Sequence, residues 1–163
     1  PWMWAWSSSA CPKSFNVTGA RISFLVGRRD VWLPSELRGQ IDFGMFLPVQ
    51  KAAIAALTGP LDMVKTQCGL YQQRRDALCG GLRSIGWNVP DSHGSMFVWA
   101  PIPEKYAKSM DFCLDLVEKS GVLCTPGSSF GPLGEGYVRF ALTLPPERIA
   151  EAVQSIKASG ILN

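Results

Sequence analysis

The spacing of apolar residues along the first part of the chain predicts two short strands. Tryptophan occupies every second position from residue 2 to residue 6, which is the period of a β-strand, and a serine-rich loop is expected over residues 7–9. A mostly apolar run over residues 20–27 closes with Gly27 and predicts a second, largely buried strand. These elements are typical of strands within a sheet.

Two helices are predicted next. Apolar residues recur at helical spacing over residues 46–57 and again over residues 61–85, and Thr58-Gly59-Pro60 separates the two segments. In the longer helix, one set of apolar side chains is expected to face a core, and three arginines are expected to face water. The apolar set is Met63, Leu70, Leu78, Leu82 and Ile85, and the arginines are Arg74, Arg75 and Arg83.

The remaining sequence predicts short strands that alternate with helices. Strands are expected at residues 87–89, 96–100, 122–125 and 137–142. Residues 109–119 have an amphipathic pattern, with Ser109 as a helix N-cap and Gly121 after the last turn. A final helix is predicted over residues 145–158, with proline in its first turn. This order is typical of a compact α+β or open-sheet layer, so the predicted fold class is α/β.

Composition and charge narrow the class of protein. With 47% hydrophobic and 18% charged residues among 163, the chain is expected to fold around a core. The net charge is only +3 and the basic residues are scattered, so no nucleic-acid partner is expected. No run approaches the roughly 20 apolar residues of a membrane helix, so no membrane partner is expected either.

The cysteines indicate a reducing environment. There are five, an odd number, and none are paired in C-x-x-C spacing, so neither a disulfide framework nor a metal site is expected. Three lie in apolar stretches, where a free thiol acts as a small hydrophobe. The pattern favours the cytoplasm or another reducing compartment. No signal peptide is expected, and a sequence that starts with Pro1 suggests that the beginning of the gene product is absent.

Candidate chemistry begins with Lys13 and Arg21, which are separated by a loop and the start of a strand. A lysine amine can form a Schiff base with an aldehyde when positive charge and desolvation keep part of it unprotonated. An arginine can hold a phosphate through paired N–H donors. The pair suits a cofactor with an aldehyde at one end and a phosphate at the other, although the spacing taken alone favours a solvated loop lysine.

A series of sequence blocks gives this pair a family context. The segment Lys-Ser-Phe-Asn-Val-Thr-Gly-Ala-Arg-Ile, at residues 13–22, resembles the active-site signature of class I/II (fold type I) aminotransferases. The resemblance covers roughly residues 13–155. The sequence of the blocks is similar to that of the LL-diaminopimelate, alanine and aspartate aminotransferase branch. It continues in order through blocks at residues 41–53, 71–76, 95–103, 125–132 and 134–141.

The resemblance implies a pyridoxal 5'-phosphate (PLP) enzyme that transfers an amino group between an amino acid and a 2-oxo acid by a ping-pong mechanism. In that role Lys13 is the catalytic lysine that forms the internal aldimine, Arg21 binds the cofactor phosphate, and Arg139 binds the substrate α-carboxylate. Residues 1–60 correspond to the end of the large PLP-binding domain. Residues 61–163 correspond to the connecting helix and the small C-terminal domain.

The resemblance also implies a homodimer in the full-length protein. The family's other cofactor contacts lie before the lysine, so the chain is expected to be a C-terminal fragment that is inactive alone. It departs from the family at Ala10, where a serine is usual, and at Ala20, where a tryptophan is usual.

Other interpretations stay open at this stage. A noncatalytic interaction module could keep the small-domain fold without the chemistry. The glycine-rich residues 127–136 could cradle a phosphate, but they lack the Lys-Ser/Thr ending of a P-loop, so tight turns are the favoured explanation. His93 is expected at the surface, and Trp87 and Trp99 are expected in a core or a domain interface.

Overall fold

A computed structural model describes residues 7–10, 15, 19, 22–26 and 44–162. The chain divides into two compact units, Pro1–Gln67 and Cys68–Asn163. This division falls inside a long helix, Asp62–Ser84, rather than before it. The domain bounds 1–60 and 61–163 stay a prediction.

In the first unit, strand β1 (Ser7–Ala10) pairs antiparallel with strand β2 (Ser23–Val26). The predicted serine-rich loop at residues 7–9 is therefore wrong, because pairing with β2 satisfies backbone groups that a local serine pattern does not reveal. The second predicted strand is confirmed at its centre. The predicted strand at residues 2–6 lies outside the described residues.

Both predicted central helices are confirmed. Helix α1 (Leu47–Thr58) has Pro48 in its first turn and ends where the Gly59 N–H donates to the carbonyl of Ala55 at 2.9 Å. Helix α2 (Asp62–Ser84) buries Leu78 and Leu82, as expected. Met63 and Leu70 were expected in the core, but they are 58% and 42% exposed.

The second unit is built on a three-stranded antiparallel sheet of order β3-β5-β4. Its strands are β3 (Phe97–Pro101), β4 (Thr125–Pro126) and β5 (Tyr137–Ala141). Alternate residues of β3 and β5 are buried, which is the period-two pattern of a sheet with one covered face. The buried residues on that face are Val98, Ala100, Val138 and Phe140.

Two further helices contribute to the same core. Helix α3 (Ser109–Ser120) buries Phe112 and Leu116, and helix α4 (Pro146–Ser159) buries Ile149, Val153 and Ile156. Both end at glycines with left-handed backbone, Gly121 with φ 69° and Gly160 with φ 65°. The prediction for Gly121 is confirmed.

The N-cap prediction for Ser109 is wrong. Lys108 holds the cap position, and Ser109 is the first helical residue and is fully buried. The carboxylate of Glu135, distant in sequence, accepts the Ser109 N–H at 2.6 Å. A tertiary contact therefore supplies the acceptor that a capping side chain usually provides.

Two predicted strands are absent or shortened. Residues 87–89 form no strand, because other partners use their backbone groups: the Trp87 N–H donates to the Leu82 carbonyl at 3.0 Å, and the Val89 carbonyl accepts from Arg83 Nε at 2.9 Å. Trp87 and Val89 are buried nonetheless, and the Trp87 indole N–H donates to the Pro101 carbonyl at 2.7 Å. The strand expected at residues 122–125 is reduced to the two residues of β4.

The cysteines of the described residues are free thiols. Cys79, Cys113 and Cys124 are buried in the core, and burial raises the pKa of each thiol. The prediction that such cysteines act as small hydrophobes is confirmed for these three, while Cys68 is exposed. None of the helices among the described residues combines the length and the apolar composition that a membrane span requires.

Candidate active site

Arg139 lies in the middle of the central strand of the sheet. In β5 it is opposite Trp99 of β3 and Thr125 of β4. Its neighbours in the strand, Val138 and Phe140, point into the core, so the alternation of the strand directs Arg139 to the opposite face. That face does not pack on the helices that cover Val138 and Phe140.

Aromatic rings surround the guanidinium of Arg139. Its Cζ lies 4.2 Å from the centroid of the Phe97 ring and 4.3 Å from that of Phe130. Trp99 contacts Phe130 edge-on at 5.7 Å and stacks on Tyr137 at 5.7 Å with an interplanar angle of 21°. Cation–π contacts of this kind are attractive without using the N–H donors of the cation.

The donors of Arg139 are not used by the described residues. Its Nε is buried and has no hydrogen-bond partner among them, and none of them forms an ion pair with the guanidinium. A buried donor without a partner is uncommon, because it loses its bond to water and gains nothing in return. An anion is the kind of ligand that would complete this group.

A cleft of about 330 Å³ opens beside Arg139. One wall is the loop that precedes β3, and the other is the aromatic face of the sheet. Ser95, in that loop, has a left-handed backbone with φ 75°. The lining residues are Pro90, Asp91, Ser92, Gly94, Ser95, Phe97, Trp99 and Arg139.

Arginines of α2 hold the wall of this cleft. Arg75 donates to the Ser92 carbonyl at 3.3 Å, and Arg83 forms an ion pair with Asp91 in addition to its bond to Val89. Arg74 donates to the carbonyl of Leu142 at 3.1 Å. The prediction that these arginines face water is confirmed for Arg83, which is exposed, but Arg74 and Arg75 are half-buried. Each of the three guanidinium groups also satisfies a backbone carbonyl of a neighbouring segment.

The glycine-rich residues 127–136 form the segment that carries Phe130. Two short 3-10 turns, Gly127–Phe130 and Pro132–Gly134, make up most of it. They approach so closely that a Cβ on Gly127 would lie 1.9 Å from the carbonyl oxygen of Gly134. Glycine is required here by close backbone contact, which supports the explanation of tight turns over a phosphate cradle.

Polar contacts fix this segment to the start of α3. The hydroxyl groups of Ser109 and Ser128 lie 3.1 Å apart, and the Ser128 N–H donates to the Ser109 hydroxyl at 3.3 Å. Glu135 accepts the N–H groups of Ser109 and Gly136 at 2.6 and 3.0 Å. These backbone hydrogen bonds lower the pKa of the Glu135 carboxyl.

The structure places only part of the predicted site. Lys13 and Arg21 lie outside the described residues, whereas Arg139 lines the cleft. Sequence reasoning missed Phe97 and Phe130 as neighbours of Arg139, although both fall in blocks that carry the family resemblance. His93 is exposed, as predicted. No group of metal-binding side chains occurs within the described residues.

Comparison with known proteins identifies the family. The model of the family "Aminotransferase class I and II" matches residues 5–156, and the chain belongs to that family. An LL-diaminopimelate aminotransferase from Halothermothrix orenii is 45% identical over 150 residues, which cover 91% of this chain and 38% of that protein. The chain thus spans about two fifths of the length of this relative.

Solved structures agree with this assignment. An aminotransferase from Staphylococcus aureus matches with a TM-score of 0.87 and 28% identity, covering 97% of this chain and 42% of that one. A probable N-succinyldiaminopimelate aminotransferase from Thermus thermophilus matches with a TM-score of 0.83 and 30% identity, covering 94% and 41%. The predicted fold class is confirmed: the chain has the α/β architecture of a C-terminal portion of a fold type I aminotransferase.

Proposed function

We propose that this chain is the C-terminal part of a PLP-dependent aminotransferase, in which Arg139 binds the α-carboxylate of the substrate. The observation that carries the proposal is the buried Nε–H of Arg139, which lies beside an open cleft and has no hydrogen-bond partner among the described residues. Leaving such a donor unsatisfied costs about 1–3 kcal/mol, and a carboxylate in the plane of the guanidinium would offset that cost. Membership of the family supports the class of reaction.

Arg139 would both bind and orient the substrate. A guanidinium and a carboxylate form two parallel hydrogen bonds, which fix the direction of the carboxylate and hence of the bonds at the neighbouring α-carbon. A lysine ammonium offers no such planar pair. Arg139 lies on a strand that is paired on both sides, and a site on a strand is positioned more precisely than a site on a loop.

The cofactor fits the donors that the sequence provides. The amine of Lys13 and the guanidinium of Arg21 match the aldehyde and the phosphate of PLP. When bound, PLP supplies an electron sink for the reaction at the substrate α-carbon. Lys13 would hold the cofactor covalently between turnovers and carry the proton at that carbon, and Arg21 would bind the phosphate. Both roles rest on the sequence and on family membership.

For the substrate we propose LL-diaminopimelate or a closely related amino acid, with a 2-oxo acid as its counterpart. Relatives that carry this name are 45% and 38% identical to the chain. We further propose that the full-length protein is a homodimer and that it acts in the cytoplasm or another reducing compartment. The isolated chain is expected to be inactive, because it covers only 38% of its Halothermothrix orenii relative.

A chimera tests the proposal directly. This chain would replace the matching segment of the Halothermothrix orenii enzyme, and amino transfer from LL-diaminopimelate would be assayed. We expect activity that Lys13→Ala abolishes and that Arg139→Gln lowers by about 100-fold or more in kcat/KM, as expected when one partner of a close charge pair is removed. Lys51→Ala and Arg148→Gln alter exposed residues and serve as controls.

Two outcomes would contradict the proposal. A folded chimera without transaminase activity would favour the alternative, a noncatalytic interaction module that keeps the small-domain fold. Full activity in the Arg139→Gln chimera would remove the carboxylate role. The isolated chain would also be assayed for amino transfer in the presence of PLP, and efficient turnover would contradict its expected inactivity. Borohydride reduction of a separate sample would show whether PLP forms an adduct at Lys13, and the inactivity is judged by turnover alone.

A further inference from the structure

The position of Arg139 raises the question of what holds its guanidinium while its donors stay available. A carboxylate neighbour would hold the charge, but it would also accept the N–H groups that a ligand needs. Among the described residues no carboxylate does so. Within the described ranges, two phenyl rings contact the cation, with their centroids at 4.2 and 4.3 Å from Cζ.

The two rings come from separate elements. Phe97 is the first residue of β3 and lies opposite Ala141, at the end of the β5 strand that carries Arg139. Phe130 ends the first 3-10 turn of the glycine-rich segment. It is 50% exposed, so its position depends on the anchors of that segment more than on burial in the core.

Those anchors restrict Phe130 strongly. Gly127 and Gly134 are in backbone contact that no side chain could share, and the Ser109–Ser128 and Ser109–Glu135 hydrogen bonds attach the segment to the buried start of α3. Trp99 contacts the edge of the Phe130 ring from the neighbouring strand. The ring is therefore fixed from both sides although half of its surface is open.

We infer that Phe97 and Phe130 are positioning residues that hold the Arg139 guanidinium for an incoming carboxylate. This inference rests on the proposed function of Arg139. The rings stabilise the cation through their faces and exclude water from it, while the N–H donors, which lie in the guanidinium plane, stay free. The arrangement favours a planar carboxylate that enters in that plane and completes the buried Nε–H.

Nuclear magnetic resonance on the full 163-residue chain tests the inference without the cofactor. Arg139→Gln identifies the Arg139 Nε–H signal by its loss. A proton near the face of an aromatic ring resonates upfield, so we expect an upfield signal that moves downfield in Phe97→Leu and in Phe130→Leu. Phe130→Tyr keeps a ring and is expected to retain the upfield position. Leu133→Ala, at a residue of the same segment that is 98% exposed, is the matched control.

Titration with sodium propionate, at constant ionic strength, measures carboxylate binding in the same samples. We expect the Arg139 Nε–H signal to shift downfield to saturation in the parent chain. Each leucine substitution is expected to weaken propionate binding by about three- to tenfold, the effect of losing one cation–π contact. Phe130→Tyr and Leu133→Ala are expected to bind as the parent does.

The outcomes separate the inference from the function on which it rests. A parent chain that binds no propionate at Arg139 overturns the carboxylate role, and the purpose of the rings with it. Normal binding that survives both leucine substitutions overturns the positioning role alone. An Nε–H signal that is not upfield in the parent, or that neither leucine variant moves, shows that the rings do not hold the guanidinium.

Discussion

The two faces of the three-stranded sheet differ in burial and in residue type although the same strands form both. One face carries Val98, Ala100, Val138 and Phe140, which are buried against helices. The other carries Trp99, Tyr137 and Arg139, which remain partly or largely accessible. Because alternate residues of a strand point in opposite directions, the residues that stabilise the core and the residues of the candidate site are direct neighbours in sequence. A shift of register by one residue would exchange both sets.

The largest expected effect lies on the buried face. Phe140→Ala removes a ring that packs edge-on against Trp87 at 5.7 Å and leaves a cavity, so the free energy of unfolding should fall by about 3–5 kcal/mol. Tyr137→Ala, on the accessible face of the same strand, should lower the free energy of unfolding clearly less. Urea unfolding followed by near-ultraviolet circular dichroism measures both, and equal losses would contradict the division between the faces.

Arg139→Lys tests the accessible face. This variant keeps the charge but loses the planar pair of donors, so kcat/KM of the chimera should fall about 10- to 100-fold. The free energy of unfolding should change by less than about 1 kcal/mol, because a buried donor of the parent guanidinium has no partner in the part of the chain that the structure describes. Arg148→Lys, on the exposed surface of α4, is the control. A large loss of stability with unchanged kinetics would assign Arg139 to the core instead.

Gly127→Ala should disrupt the segment that supports the accessible face. The new Cβ would lie 1.9 Å from the Gly134 carbonyl oxygen, so the backbone must move, and we expect a loss of about 1–3 kcal/mol in stability. Gly80→Ala is the matched control, because Gly80 lies in helix α2 with no atom within 4 Å of the added Cβ. That substitution should stabilise the protein by about 0.5–1 kcal/mol. Thermal unfolding of both variants would refute the prediction if their effects had the same sign.

The smallest effect should come from Glu135. Its pKa is lowered in the folded protein, so its hydrogen bonds to Ser109 and Gly136 contribute stability above the ordinary pKa of a glutamate, and that contribution is lost as the pH falls through the lowered value. Glu135→Gln should therefore be less stable than the parent near neutral pH, with a difference that shrinks in acid. Urea midpoints across pH, with Glu104→Gln as a surface control, measure this. A difference independent of pH would contradict it.

The elements with a strong local pattern were predicted from the sequence. The helices α1, α2 and α4 and the strand β3 appear within one or two residues of their expected bounds, since each combines periodic apolar residues with proline or glycine at its ends. The errors fall where distant groups decide the outcome. Residues 7–10 pair with β2, and the segment at residues 87–89 is bonded to α2 through the Leu82 carbonyl and the Arg83 side chain.

Sequence reasoning identified the charged residue Arg139 of the candidate site but not the residues that surround it. Arg139 was identified through a motif that ties a residue type to a role, and its place on the accessible face follows from the alternation of β5. The rings of Phe97 and Phe130 were not identified, because they approach the guanidinium from a strand and a loop that are 33 positions apart in numbering. No local periodicity records such a contact.

The sequence by itself determined the family and the main helices, because the family blocks and the helix periodicity are written in local stretches of residues. It also named Lys13, Arg21 and Arg139 as candidate groups, and these roles stay predictions. Only the tertiary structure decided which donors stay unpaired, which rings lie against Arg139, and that Glu135 caps a helix distant in sequence. These features depend on how separate segments pack against one another, and packing is a property of the folded chain.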